Sequence, residues 1–478
     1  MDQSTRRSKA PELLVTLDRD RARGSLSAQL ERELREAVRS GRLRARTELP
    51  STRALAAELG ISRGLVVAAY AQLSAEGYLR LRRNAPPLVA DTVASRARAR
   101  TLAADPNWRY NLRPDLPDYG AFPREEWLTS YRAALKAAPD RELAYGDVRG
   151  VVQLRDALAS YLGRVRGVVG DAEQTFVCGG FAQALGLVGA VLARGGRRRV
   201  AVEDPGHAVI REIVARSGIE PVPIPLDEEG IDVEALARAA PDAVLVTPAH
   251  QFPTGVVLSP ERRSRLLSWA EDADALVIED DYDTEFRYDR APVGALQGLA
   301  SGRVVYCGSA SKTLAPTLRL GWIVAPPRLV RELVDQVLYT AIAPPRLEQL
   351  AFADFLARGE LDRHLRRMRL RYRRRRDELV RSLERELPDV RVRGVAAGLY
   401  VGAVLPDGVD EQRVLAEARA RGVGLYGMTE HCARARREGA LLLGYAVSSQ
   451  PAIRAGVRVL AEAVRAASCR THRRCERG

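Results

Sequence analysis

The 478-residue chain has little of several things, and each shortage removes a class of protein. Long apolar runs are missing. The longest, Phe181 to Ala193, is too short for a bilayer and carries two glycines, so no membrane-spanning helix is expected. No apolar segment follows the basic start MDQSTRRSKA, which argues against a secretory signal. Cysteine is sparse: Cys178, Cys307, Cys432, Cys469 and Cys475 form no paired framework and fit a reducing cytoplasm. Lysine is rarer still. Of 75 basic residues only Lys9, Lys136 and Lys312 are lysines. Where arginine serves almost every need for positive charge, a lysine inside a dense motif points to a need for an amine. Arginine neither deprotonates in proteins nor forms a Schiff base.

Apolar residues are plentiful, at 46%, enough for a sizeable core. The positive charge is unevenly placed. Residues 1–106 hold 20 Lys+Arg against 12 Asp+Glu, a net of +8; the remaining 372 hold 55 against 49, a net of +6. A genome that favours arginine codons explains Arg over Lys but not this placement. A polyanion partner for the N-terminal part is expected.

Residues 26–39 set Leu26, Leu30, Leu34 and Ala37/Val38 at helical spacing, with Ser25 as cap and Gly41 beyond the end. Ser51, Leu55, Leu59 and Gly60 outline a second helix. Ser62 caps a third, from about Arg63 to Glu76, with Val66, Ala69/Tyr70 and Leu73 facing inward. Tyr78 to Leu81 and Leu88 to Ala90 read as a hairpin. Two short helices joined by Gly60-Ile61-Ser62, then a hairpin, make a winged helix-turn-helix. The inward stripe leaves Arg63 and Gly64 free to meet a major groove, and Arg53 in reach of a phosphate. Ser51 and Ser62, at the two helix starts, complete the candidate DNA-contacting set. The expected division is a DNA-binding domain at 11–90, an Ala/Arg-rich linker at 91–106, a large domain at 107–465 and a basic tail at 466–478.

From Asn107 short β-rich runs (RRVAVED, AVLVTP, ALVIED, RVVYCG) alternate with helical stretches. This predicts an α/β domain with a mainly parallel sheet, followed after about Pro345 by a smaller α+β lobe. Polar clusters stand at the predicted strand ends, where such sheets bind ligands. CGGFAQAL, 178–185, opens a helix behind glycines and offers backbone N–H groups to an anion, although many tight turns look alike. His207 in EDPGH has a planar ring that suits a heteroaromatic partner; taken alone, a loop histidine in water is the commoner case. ALVIEDDYDTEF, 275–286, gathers Asp280, Asp281, Tyr282, Asp283 and Glu285. A divalent metal accounts for so many carboxylates, and so does a buried aspartate opposite a protonated ring nitrogen. YCGSASKTLAPTLRLGW, 306–322, places Lys312 between Ser309 and Arg319, without the glycines of a Walker loop. A phosphate cradle, a planar stacker, an acid for a ring nitrogen and an amine together ask for one molecule, pyridoxal phosphate.

Residues 25–80 resemble the GntR-type DNA-binding domain. LAYGDVRGVVQLRDALASYL, EDPGH, TPAHQFPTG, EDDYDTEFRY and GSASKTLAPTLRLGW resemble fold-type I aminotransferases. In order and fusion, over about residues 25–465, the chain is similar to the MocR subfamily of GntR regulators. That resemblance implies that Lys312 forms the internal aldimine with pyridoxal phosphate, that Asp280 pairs with the pyridine nitrogen, and that Tyr282 meets the ring hydroxyl. It assigns the phosphate to Ser309, Arg319 and the backbone of Gly180 and Phe181. Tyr145 would reach the phosphate of the neighbouring subunit in a head-to-tail homodimer. His207 stands where an aromatic stacker is usual. No metal is expected.

Four departures stand out. The wing reads Asn84-Ala85-Pro86-Pro87 instead of Gly-x-Gly-Thr. Leu65 follows Ser-Arg-Gly where threonine is frequent. His207, able to titrate near neutral pH, replaces the commoner tyrosine. The stretch ALLLGYA, 440–446, is apolar where aminotransferases hold the substrate carboxylate with arginine; Arg436 and Arg437 lie just upstream. The resemblance thus implies a cytoplasmic transcription regulator that binds double-stranded DNA and senses a small amine, an amino acid or pyridoxal phosphate at Lys312. The alternative is a working aminotransferase with an accessory DNA-binding domain. A large domain that merely dimerises would leave Lys312, Asp280, Tyr282 and Arg319 unexplained. The basic run 364–380 reads first as a solvated or packed helix face, and Cys469, His472 and Cys475 as part of a disordered tail.

Overall fold

The computed structural model describes residues 17–18, 25–82, 85–90, 107–289, 293–340, 344–434 and 438–475, with side chains as far as 468. The chain divides into two compact units, Met1–Pro106 and Asn107–Gly478. The expected linker, 91–106, lies outside the described residues, as does Asn84 of the wing.

The N-terminal unit is built from helices Leu26–Arg39, Thr52–Leu59 and Arg63–Ala75 and a hairpin of Leu79–Arg82 with Ala85–Val89. Each helix start is closed by a serine hydroxyl: Ser25 accepts from the Ala28 N–H at 3.3 Å, Ser51 from Ala54 at 3.2 Å and Ser62 from Leu65 at 3.4 Å. Gly60 ends the second helix in the left-handed region, φ +61°, which sets up the tight turn into the third. Leu30, Leu34, Leu55, Val66, Tyr70 and Leu73 form one core with Leu79 and Val89 of the hairpin. The Tyr70 hydroxyl donates to the Pro50 carbonyl at 3.0 Å. Leu26, expected in the stripe, is only half-buried, while Gln29 is buried and pairs with the backbone N–H and C=O of Asp18, both at 2.9 Å. The return strand starts at Ala85, three residues before the predicted Leu88. Its two prolines still offer carbonyls, Pro87 to the Leu49 N–H and Pro86 to Arg82, so missing N–H groups do not end it.

In the C-terminal unit an eight-stranded sheet runs in the spatial order Thr175–Cys178, Gly321–Val324, Val304–Ser309, Leu276–Asp281, Ala243–Val246, Arg199–Asp204, Glu220–Asp227, Gly230–Ile231. Gly321–Val324 is antiparallel to both neighbours, and Gly230–Ile231 closes a hairpin on the far edge. The other strands are parallel, so their C-terminal ends share one edge. The central strands are buried throughout, which is why they read as unbroken apolar runs. A smaller lobe has the antiparallel order Arg391–Arg393, Tyr400–Val404, Ala440–Gly444, Tyr426–Gly427, packed with helices Glu360–Glu386, Glu411–Ala420 and Gln450–Cys475. The last helix continues through most of the segment expected to be a tail; its alanines, Ala461, Ala463 and Ala467, are buried against this lobe. The basic run lies on Glu360–Glu386, with His364, Leu365, Met368 and Tyr372 inward and Arg366, Arg367, Arg373 and Arg374 outward. No helix among the described residues is long and apolar enough to cross a membrane.

Candidate functional site

The shared edge of the parallel strands delivers the motif residues into one cavity of about 270 Å³. It is lined by Gly180, Phe181, His207, Asp280, Tyr282, Ser309, Lys312 and Arg319, all singled out from sequence. Tyr145 is not among them. It is fully exposed on its own chain, away from this cavity.

The acidic strand resolves by alternation. Glu279 points away from the cavity and accepts the Leu296 and Gln297 N–H groups at 2.9 and 3.0 Å. Asp281 points the same way, taking Arg166 Nε at 2.6 Å, the Tyr306 hydroxyl at 2.6 Å and the Thr284 hydroxyl. Asp283 lies 3.0 Å from His250 Nδ1. Of this run Asp280 and Asp283 border the cavity; Asp283 is taken up by His250, whereas among the described residues no hydrogen bond ends on the Asp280 carboxylate. Burial, then the negative charges of Asp281, Asp283 and Glu203, push its pKa well above the usual carboxylate range. Glu203, on the neighbouring strand, is held by the Thr247 hydroxyl at 2.6 Å, and burial lifts it to about 7. Among the described residues no group of three or more His, Cys, Asp or Glu has the arrangement of a metal site.

Lys312 sits across the cavity and donates to the backbone carbonyl of Asp115. Burial lowers its pKa, with Asp115, Asp283 and Asp280 acting against that. A neutral amine, the nucleophilic form, is thereby favoured. The turn behind Lys312 is fixed by His364, whose Nε2 donates to the Thr313 carbonyl at 3.1 Å. The Tyr282 hydroxyl lies 3.2 Å from His250 Nδ1. The loop 396–398 packs so tightly here that a Cβ on Gly398, φ +71°, would stand 2.2 Å from His250 Cε1.

At the other end Gly180, φ +105°, opens helix Phe181–Arg194 without a side-chain cap, leaving N–H groups free. A Cβ there would lie 3.9 Å from both Arg319 Nη1 and Ser309 Oγ, and 4.0 Å from Ser311 Oγ. Two hydroxyls, a guanidinium and a helix N-terminus therefore converge on one spot, an anion cradle. Ser311, which the sequence reading passed over, belongs to it.

His207 caps helix Ala208–Arg216, its Nδ1 accepting from Val209 at 3.3 Å. Its ring lies 5.2 Å from Phe252 at 35° and 5.8 Å from His431. The expectation that it titrates near neutrality is corrected: burial, with His431 and Lys312 nearby, lowers it to about 4. The smaller lobe contributes Tyr400 and Tyr426, and the segment just after strand Tyr110–Asn111 contributes Asp115. Nothing in the sequence flagged these three, which are drawn in from far along the chain. Strand Ala440–Gly444 is buried along its length, with Leu442 fully enclosed, so 440–446 presents no cation. Arg436 and Arg437 lie outside the described residues.

In the N-terminal unit Ser51, Arg53, Ser62, Arg63 and Gly64 are all exposed at the starts of the second and third helices. Arg63 Nε reaches the Thr52 hydroxyl at 3.4 Å, which ties the two helix starts together.

Comparison with known proteins matches residues 120–427 to the family described as aminotransferase class I and II, and residues 26–89 to bacterial regulatory proteins of the gntR family. A probable rhizopine catabolism regulatory protein MocR of Rhizobium meliloti is 33% identical over 94% of this chain and 96% of its own length. The HTH-type pyridoxine biosynthesis transcriptional regulator PdxR of Corynebacterium glutamicum is 32% identical over 92% and 96%. Among solved structures, a multiple substrate aminotransferase from Thermococcus profundus aligns with a TM-score of 0.70 and 27% identity, over 77% of this chain and 93% of that one. The fold is thus shared by regulators and by aminotransferases.

Proposed function

Because the chain belongs to the MocR-type GntR regulators, pyridoxal-phosphate-dependent DNA-binding proteins with an aminotransferase-like effector domain, we propose that Lys312 holds the cofactor and that a small amine, an amino acid or pyridoxal phosphate itself acts there to set DNA binding. The observation that carries this is Asp280. A buried carboxylate with no donor among the described residues, in a cavity that also holds an amine and ends in an anion cradle, fits a ring with a protonated nitrogen, a carbonyl and a phosphate.

Asp280 would pair with the ring nitrogen, and Tyr282, steadied by His250, would hydrogen-bond to the ring oxygen. Ser309, Ser311, Arg319 and the N–H groups of Gly180 and Phe181 would hold the phosphate, and His207 would lie against the ring. When bound, the cofactor supplies a carbonyl carbon that condenses with primary amines. Lys312 contributes an amine whose pKa burial lowers, and His207, neutral above about pH 4, adds no competing charge. In our reading Tyr145, exposed on its own chain, serves the phosphate of a partner in a head-to-tail homodimer. Ser51, Arg53, Ser62, Arg63 and Gly64 would meet double-stranded DNA in the cytoplasm, with domain limits near 11–90 and 107–465.

The residues we assign to the cofactor, Tyr145 apart, line the cavity, but 440–446 gives no cation for a substrate carboxylate. We therefore read this chain as a regulator with at most slow transamination. The visible absorption spectrum of the purified protein tests the proposal. A yellow band is expected, absent in Lys312→Ala. A wild type that stays colourless with added pyridoxal phosphate would overturn it.

A further inference from the structure

We propose that this cavity selects an amine that carries a second positive charge and no carboxylate, and that Asp115 makes the selection. The inference rests on the reading of Lys312 as the cofactor residue.

Among the described residues three cationic side chains line the cavity. Arg319 stands with Ser309 and Ser311 at the anion cradle. Arg211 Nη1 is held between the carbonyls of Gly206 at 2.9 Å and His431 at 2.7 Å. Lys312 donates to the Asp115 carbonyl. The strand Ala440–Gly444 adds only buried alanine, leucine and glycine. Apart from Arg211, whose Nη1 is held on two carbonyls, no described cation of the lining is left over for a ligand carboxylate.

The opposite charge is available. Asp115 lines the cavity beside Lys312 and His207. Its Oδ2 accepts from the Tyr426 hydroxyl at 3.3 Å, a long contact. Its Oδ1 is shut off from water and, among the described residues, meets no donor. Asp115 forms no ion pair with any described residue within 4.0 Å. A half-buried carboxylate with so few partners costs free energy until a cation meets it. An amine that takes the place of Lys312 starts next to the Asp115 backbone, so a short chain brings a second ammonium to the side chain. An α- or ω-amino acid would bring a carboxylate toward Asp115 instead, and like charges in a poorly hydrated pocket repel.

The test uses the full-length, cofactor-loaded protein, with loading checked first by its visible band. Isothermal titration then compares three probes of similar length: putrescine, γ-aminobutyrate and butylamine. Putrescine is expected to bind at least about tenfold tighter than γ-aminobutyrate, with butylamine between them. Asp115→Asn should weaken putrescine by about tenfold and leave butylamine within about twofold, with the cofactor band unchanged, while Asp115→Glu retains the preference. Equal or tighter binding of γ-aminobutyrate, no binding of putrescine, or a uniform loss for all three probes in Asp115→Asn would overturn the inference alone. An absent cofactor band in the wild type would overturn the reading beneath it as well.

Discussion

In the N-terminal unit the candidate contact residues Ser51, Arg53, Ser62, Arg63 and Gly64 fall on two consecutive helices and all face solvent. In the C-terminal unit the cavity collects Asp115, His207, Asp280, Lys312 and Tyr426 from loops and strands far apart in the chain and encloses them. The first arrangement suits a rigid, hydrated polyanion that a protruding helix can read. The second suits a small molecule that must be stripped of water before charge and geometry can discriminate. The difference also governs how each unit responds to damage. A surface residue of the first can be removed without disturbing its core, whereas the cavity residues hold one another in place.

That contrast can be broken or sharpened by substitution. The largest effect is expected from Lys312→Ala: complete loss of the cofactor band, with DNA affinity in the absence of cofactor kept. Spectroscopy beside DNA titration measures both. Leu34→Ala, in the core of the N-terminal unit, should cost about 2–5 kcal/mol of that unit's stability and leave the cofactor band intact. Loss of the band on thermal or chemical unfolding of this unit would show that the two are not separable. Asp280→Asn should weaken cofactor binding by roughly 10- to 100-fold through loss of the ring-nitrogen partner, read by equilibrium dialysis. Arg63→Ala should weaken specific DNA binding by about 1–3 kcal/mol, with the spectrum unchanged.

The smallest effect concerns pH. His364 is lowered by burial from its ordinary 6.5 to about 4 in the folded chain. As pH falls from about 6.5 to about 4 the unfolded chain takes up this proton and the folded one does not, so this group's stabilising contribution is lost across that window. His364→Gln should therefore show a smaller fall in melting temperature between neutral pH and pH 5 than the wild type.

How far the sequence could be read follows from the same contrast. Helix caps act over three or four residues, so Ser25, Ser51 and Ser62 announced their helices. Central strands such as Ala243–Val246 were legible because both faces are buried and their residues are apolar, whereas Glu220–Asp227, toward the edge of the sheet and partly exposed, was not. Lys312, Asp280 and Arg319 were legible because chemistry concentrates at strand ends. Asp115, Tyr400 and Tyr426 were not, because only the approach of the smaller lobe brings them to the cavity. The tuning of His207 was also hidden. Its low pKa arises from burial and from His431, more than two hundred residues away. The paired roles within the acidic run needed the alternation of Leu276–Asp281 and the position of Arg166.

The central claim is that events at Lys312 set DNA binding. The direct measurement is the affinity of the full-length protein for the DNA upstream of its own gene, by fluorescence anisotropy, with and without pyridoxal phosphate and a primary amine. Wild type and Lys312→Ala are measured side by side. The account predicts that the wild-type affinity shifts on addition and that Lys312→Ala does not respond. An identical response of the two proteins, or none in either, would contradict it.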